Sequence, residues 1–192
     1  MAKPRIAVII GSTRAARFGD KPAKWIFDLA AQRSDWEVEL VDLRDFDLPM
    51  FDEAASNAWV PSKDPRAVAW QKKLATFDGF IFVTAEYNHS VPGVLKNALD
   101  QAYVEWVRKP AAVFGYGSMG GARAAEHLRM IAIELQMVPT RFGVHIGGGD
   151  FFQLYQGKAT LADIEEHILP AAKAMLDDLD WWTRATMAAR AA

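Results

Sequence analysis

The sequence predicts an α/β protein whose parallel sheet is covered by helices on both faces. Three observations carry this. Apolar runs without polar alternation occur at Ile6 to Ile10, Phe80 to Thr84 and Ala111 to Phe114, as expected of strands buried on both sides. Segments of helical apolar spacing alternate with these runs, which is the order of parallel strands joined by right-handed crossovers. Glycine-marked loops follow each of these three runs, at the strand ends where open α/β sheets bind ligands.

The first unit occupies Ile6 to Ile26. After the strand comes the loop Gly11-Ser12-Thr13-Arg14-Ala15-Ala16-Arg17-Phe18-Gly19. Asp20 is placed to cap the next helix, Pro22 sits in its first turn where a missing N–H costs little, and Ala23, Ile26, Phe27 and Ala30 recur at helical spacing. The loop sets two hydroxyls, two guanidiniums and small residues before a helix N-terminus. That is the chemistry of a phosphate site, because the end N–H groups and the macrodipole favour an anion and arginine matches its oxygens. A plain strand-to-helix turn with solvated arginines is the other reading. Neither a GK[ST] P-loop nor a three-glycine dinucleotide fingerprint is present. Asp42, ending the next strand, reads as a ribose-binding acid or as a strand-end cap.

Val38 to Leu43 is the second strand, and a loop then runs from Asp47 to about Asp64. It carries Phe51 and Trp59, suited to covering a site, meeting a partner or packing on the surface. Ala67 to Phe77 is a helix, Gly79 breaks it, and the third strand empties into Ala85-Glu86-Tyr87-Asn88-His89-Ser90-Val91-Pro92-Gly93. Glu86, Asn88 and the adjoining backbone suit hydrogen bonds to the edge of a flat heterocycle, and Tyr87 can lie along its plane. Local turn chemistry is the simpler use of the same residues. The following helix runs through Val94, Leu95, Leu99, Ala102 and Tyr103. The fourth strand leads into Gly115-Tyr116-Gly117-Ser118-Met119-Gly120-Gly121, which permits close backbone approach and frees N–H groups for a ligand, before a helix from Ala122 to Gln136. Val138 to Ile146 is the fifth strand, interrupted by Gly143, and Gly147-Gly148-Gly149-Asp150 opens a flexible segment. The last helix begins at Thr160, where Thr160 to Asp163 match a capping box, and continues towards Arg184 with a bend or break at Pro170. Trp181 and Trp182 are expected to pack on the sheet or on a neighbouring chain.

Composition narrows the function. A length of 192 residues with 51% hydrophobic content suits one well-buried domain, and a net charge of −2 argues against a nucleic-acid partner and gives no reason for a membrane one. No apolar run reaches spanning length and the N-terminus lacks a signal-peptide pattern, so the expected location is the cytoplasm. Cysteine is absent, which removes disulfides, thiolate catalysis, zinc–thiolate sites and cysteine-ligated clusters and leaves any redox chemistry to an organic cofactor or an unusual metal site. His89, His127, His145 and His167 show no ligand spacing, so no metal site is expected. Without a G-x-S-x-G elbow or an identifiable partner for Ser12, no nucleophilic or other catalytic side chain is expected either.

Taken jointly, the three loops resemble the NAD(P)H-dependent FMN reductase family of flavodoxin-like proteins, over nearly the whole chain. The family's G-S-x-R loop is similar to Gly11-Ser12-Thr13-Arg14, and its E-Y-N loop with P-G-x-L-K-N-A-x-D is similar to Glu86-Tyr87-Asn88 and Pro92 to Asp100. Its G-x-x-G-G-x-x-A pattern is similar to Gly117 to Ala124, and the pair Trp181-Trp182 also fits. The chain departs from many relatives in having Ala85 before Glu-Tyr-Asn, and in having Arg17 or Phe18 where a third loop hydroxyl stands.

The resemblance implies a flavodoxin-like three-layer sandwich with a five-stranded parallel sheet in the order 2-1-3-4-5. It implies FMN bound by Gly11, Ser12, Arg14, Arg17, Phe18, Gly19, Glu86, Tyr87, Asn88, Gly117, Ser118, Gly120 and Gly121, with NADH or NADPH as co-substrate. It implies ping-pong hydride transfer from the nicotinamide to flavin N5, followed by two-electron reduction of a quinone, azo compound, chromate, ferric chelate or free flavin, in a homodimer or homotetramer. A flavodoxin-type electron carrier and a flavin-binding regulatory module without reductase activity are the competing classes. True flavodoxins are usually strongly acidic with a Thr- and Gly-rich phosphate loop, unlike the Arg-bearing loop here.

Overall fold

The computed structural model describes residues 2 to 192. Its elements are β1 (Arg5–Ile10), α1 (Asp20–Ala31), β2 (Glu37–Asp42), α2 (Pro65–Ala75), β3 (Gly79–Ala85), α3 (Gly93–Asp100), β4 (Pro110–Tyr116), α4 (Ala122–Glu134), β5 (Val138–Ile146), α5 (Gly148–Tyr155) and α6 (Glu165–Ala191), with short 3-10 turns at Leu43–Asp45 and Leu161–Ile164. The strands form one parallel sheet in the order β2-β1-β3-β4-β5. The order 2-1-3-4-5 expected from the resemblance is therefore the order found.

Side-chain alternation divides the core into two layers. Ile6, Val8 and Ile10 of β1, with Ile81, Val83, Ala112 and Phe114, pack under α1 and α6, while Ala7, Ile9, Phe80, Phe82, Ala111 and Val113 pack under α2, α3 and α4. Because both faces are covered, the period-two signal disappears from the sequence and the strands read as continuous apolar runs. The second layer contains an aromatic cluster in which Trp106 meets Phe80 at 4.8 Å and Trp70 at 6.2 Å between ring centroids. Both indoles find backbone acceptors, Trp70 on the Ala98 carbonyl at 2.8 Å and Trp106 on that of Leu99 at 3.1 Å. Trp106 is 0% exposed. It is a core residue, buried by its own chain and not by a partner subunit.

Several boundaries differ from the sequence reading for local reasons. Gly19, not Asp20, is the N-cap of α1 and supplies no side chain, while Asp20 turns back to Arg17 at 2.7 Å. Leu43 leaves β2 for the 3-10 turn because the Asp42 carboxylate accepts the Arg44 N–H at 2.9 Å, which makes Asp42 a strand-end cap. Gly79 begins β3 instead of only ending α2, and α3 stops at Asp100, leaving Ala102 and Tyr103 beyond it. The segment after Gly147 is helix α5, not a flexible stretch. Thr160 and Asp163 do bond, the Asp163 carboxylate accepting the Thr160 N–H at 2.7 Å, but they close the 3-10 turn that precedes α6. Helix α6 runs through Pro170 without a break. The bond that proline forgoes is to Glu166, in the first turn, where the chain is already emerging from the 3-10 turn. Between Ala111 and Val113 of β4, the partner strand passes from Pro139 to Gly143, so the interruption read at Gly143 is a bulge in β5. No helix among the described residues is long and apolar enough to cross a membrane.

Candidate active site

The loops after β1, β3 and β4 meet at the carboxyl ends of the three central strands. The loop after β1 is held by its carbonyl groups. Arg17 donates to the Ser12 carbonyl at 2.8 Å, while Arg44 donates to those of Thr13 at 3.3 Å, Ala15 at 3.3 Å and Arg14. Arg17 is itself fixed by a two-pronged pair with Asp42, one prong at 2.6 Å. The Asp42 bond raises the Arg17 guanidinium well above its ordinary value. Burial pushes the Asp42 carboxyl up, and the bonds from Arg17 and Arg44 outweigh this and bring it below the usual carboxylate range. With the carbonyls turned towards arginines, the N–H groups of Ser12 through Ala16 have no acceptor among the described residues. Such a row of free donors at the N-terminus of α1 is a cradle for an anion. Of the arginines around it, Arg14 has no acceptor among the described residues, and its guanidinium carbon lies 5.2 Å from the centre of the Tyr87 ring.

The sequence-predicted loop residues thus separate by role. Ser12, Arg14 and the loop backbone face the cradle side. Arg17 is spent on Asp42, Asp20 and Ser12 and acts from behind the loop, so the expectation that it offers a free guanidinium to a ligand is corrected. Phe18 is buried against Tyr116 and Phe151, at 5.2 and 5.5 Å between centroids, and packs the loop down. Gly11 ends β1 where an added Cβ would come 2.8 Å from Leu95 and 3.0 Å from the Val83 carbonyl.

Beyond β3, Tyr87 and Ser90 exchange both backbone hydrogen bonds, at 2.9 and 3.0 Å, around Asn88 and His89. These two residues have φ of 50° and 70°, so the tip is a type I′ turn. Glu86 accepts from the Arg123 N–H at 3.1 Å and from its guanidinium, whose third nitrogen lies 2.8 Å from His89 Nε2. Its carboxylate therefore fastens this loop to the first turn of α4 instead of reaching for a ring edge, leaving Asn88, which is exposed, and the turn backbone for that purpose.

After β4, Gly117, Gly120 and Gly121 have φ of 141°, 69° and 67°. The loop is anchored by Gly117 donating to the Ile146 carbonyl at 3.1 Å, by Gly148 donating to the Ser118 carbonyl at 3.0 Å and by His145 at 2.9 Å from the Gly120 carbonyl. A Cβ at Gly121 would meet the Tyr116 nitrogen at 2.7 Å. Three contributors escaped the sequence reading: Arg44, Arg123 and Tyr116. Tyr116 is 4% exposed, and its hydroxyl lies 3.2 Å from Ser12 Oγ. The only signal for it was a phenol at the mouth end of a buried strand. No cluster of three or more potential metal ligands occurs among the described residues.

An anion cradle with a glycine-lined backbone shelf beside it suits a phosphorylated flat heterocycle. The family model described as NADPH-dependent FMN reductase matches residues 4–149. An NAD(P)H-dependent FMN reductase of Nectria sp is 35% identical over 147 residues, covering 71% of this chain and 73% of its own. A 2-hydroxy-1,4-benzoquinone reductase of Burkholderia sp is 36% identical over 141 residues, covering 70% and 73%. Among solved structures, the flavoenzyme NAD(P)H:(acceptor) oxidoreductase of Paracoccus denitrificans superposes with a TM-score of 0.64 at 23% identity, over 92% of this chain and 97% of that one. With its sheet order, its three loops and these matches, the chain belongs to the NADPH-dependent FMN reductase family.

Proposed function

We propose that this protein is an FMN-dependent NAD(P)H:acceptor oxidoreductase. The observation that carries the reading is the loop after β1, where the carbonyls are held by arginines, the N–H groups of Ser12 to Ala16 are free, and Arg14 is unpaired among the described residues. That donor set fits a phosphate monoester, and the left-handed glycines after β4 let backbone approach a flat ring closely. When bound, FMN supplies hydride acceptance from the nicotinamide and two-electron delivery to an acceptor. The chain's own part is to hold the phosphate at the N-terminus of α1, to support one side of the ring on Asn88 and the turn backbone beside it, and to present backbone donors at Gly117 to Gly121. The other face stays open to nicotinamide and acceptor in turn, which gives the ping-pong order. Quinones head the acceptor class, on the names of the Burkholderia relative and of a quinone reductase of Pseudomonas putida 33% identical over 139 residues.

The proposal includes a single domain acting as a homodimer in the cytoplasm, where nicotinamide co-substrates are available. Its apolar contact surface is sought on Met119, Met130 and Ile133, which are exposed on or beside α4. Reconstitution tests the activity. Purified protein mixed with FMN should show a bound flavin spectrum that bleaches on anaerobic NADH or NADPH addition and returns with a quinone. Bound flavin that neither nucleotide bleaches would make this a carrier or regulatory module instead.

A further inference from the structure

Two hydroxyls lie beneath the anion cradle with unusual surroundings. Ser12 is 1% exposed, and its Oγ lies 3.2 Å from the hydroxyl of Tyr116, itself 4% exposed. The Tyr116 phenol stands against the start of α1: a Cβ on Gly19 would come 2.6 Å from its oxygen and 3.2 Å from Ser12 Oγ. Tyr87 reaches the same place from the other side of the site. Its ring lies beneath Arg14 of the loop, with 5.2 Å between the guanidinium carbon and the ring centre, and it packs on the core layer that contains Phe18 and Tyr116. Its hydroxyl oxygen is buried and has no hydrogen-bond partner among the described residues. A buried hydroxyl left unpaired is costly and calls for an explanation, and one on a ring that packs against the unpaired Arg14 of the loop has a natural one.

We propose that the Tyr87 hydroxyl is a donor to the FMN phosphate, standing in for the third loop hydroxyl that Arg17 and Phe18 do not supply, and that Tyr116 is a positioning residue that sets the Ser12 hydroxyl for the same phosphate. The donor sense follows from the ligand. A phosphate dianion only accepts, so Ser12 must give it its proton, and Ser12 Oγ then accepts from Tyr116. Burial above all pushes the Tyr116 phenol above its ordinary value, so it keeps the proton it donates. Tyr87 is thereby moved from the ring end of FMN, where its place in the Glu-Tyr-Asn loop put it, to the phosphate end. The inference rests on the FMN reading and refines the part that binds phosphate.

The test is Tyr87→Phe, which removes one oxygen. FMN affinity should fall about 10-fold or more while riboflavin, which has no phosphate, changes less than about twofold, as for a lost hydrogen bond to a charged group. The ligand-free variant should melt at the same temperature as the parent or higher, because the lost hydroxyl had no partner; a merely structural hydroxyl would lower it. For the second half, Tyr116→Phe should weaken FMN binding in the parent and add nothing in a Ser12→Ala background. Unchanged FMN affinity in Tyr87→Phe, or equal losses for FMN and riboflavin, would overturn the Tyr87 assignment. Equal losses from Tyr116→Phe with and without Ser12 would overturn the positioning role. A parent protein that binds riboflavin as tightly as FMN would instead mean that the phosphate site itself is misread.

Discussion

At the scale of single residues, position in the loop did not decide what each arginine does; its partners did. Arg14 and Arg17 look alike in sequence, yet only Arg17 lies within reach of Asp42, a residue from the next strand. A cation paired with a carboxylate and three-quarters or more buried is structural first, so Arg17 stiffens the cradle and Arg14 remains for a ligand. Lys109 shows the opposite situation, a buried ammonium with little to hold it. Its Nζ has one backbone acceptor, the Leu74 carbonyl at 3.3 Å, and lies 5.7 Å from the Phe80 ring centre. Burial, and then the neighbouring Arg190, push it down to about 8 from 10.5. The folded value lies below the unfolded one, so the unfolded chain holds the extra proton between these values and stability rises with pH there. Urea unfolding should show the parent gaining up to about 3 kcal/mol between pH 8 and 10 relative to Lys109→Met. A parent and variant that respond alike to pH would show that the ammonium is solvated.

At the scale of elements, the site is made by three strand-to-helix connections of different construction. The first is clamped by arginines through its carbonyls, the second is a type I′ turn tied by Glu86 to Arg123, and the third is a glycine loop pressed against the ends of β4 and β5. In the third, Gly121 carries the tightest demand. Its φ of 67° is left-handed, and a Cβ would fall 2.7 to 2.9 Å from backbone atoms of Tyr116 and Gly115 that cannot move aside. Gly121→Ala should cost about 2 kcal/mol or more in thermal or urea unfolding, and should weaken FMN and riboflavin alike because the loop serves the ring. A variant as stable as the parent would contradict this backbone geometry.

Much of this was legible in the chain. The apolar runs located the strands because a sheet covered twice needs no alternation, and the glycines located the loops because those conformations exclude side chains. The rest was hidden by long-range geometry. Tyr116 read only as one residue of the glycine-rich loop, and only the fold brings its hydroxyl to Ser12, 104 positions away. Arg44 and Arg123 sit in segments with no motif of their own, and their acceptors lie on other loops. The glycines at 147–149 suggested flexibility, yet Gly147 passes so close to Gly120 that a Cβ there would meet its nitrogen at 2.6 Å, and α5 forms at once after it.

At the scale of the whole molecule, the N–H groups of Ser12 to Ala16 are without acceptors among the described residues at one sheet end, while the opposite end carries pairs such as Arg190 with Asp78 at 2.9 Å. The exposed apolar residues Met130 and Ile133 lie on the second half of α4, and Met119 lies in the loop before it. Sedimentation at micromolar concentration should show a dimer that Met130→Asp with Ile133→Asp converts to monomer; a parent that sediments as monomer would remove the proposed contact.

The central claim is that the loop after β1 holds the phosphate of FMN through its free N–H groups and Arg14. Its most direct measurement is a titration of the flavin-free protein and of Arg14→Ala with FMN and with riboflavin. The parent should prefer FMN, and the variant should lose about 10- to 150-fold in FMN affinity, the worth of a hydrogen bond to a charged group, with riboflavin nearly unchanged. Equal affinities of the parent for the two flavins, or an FMN affinity that survives the loss of Arg14 intact, would contradict it.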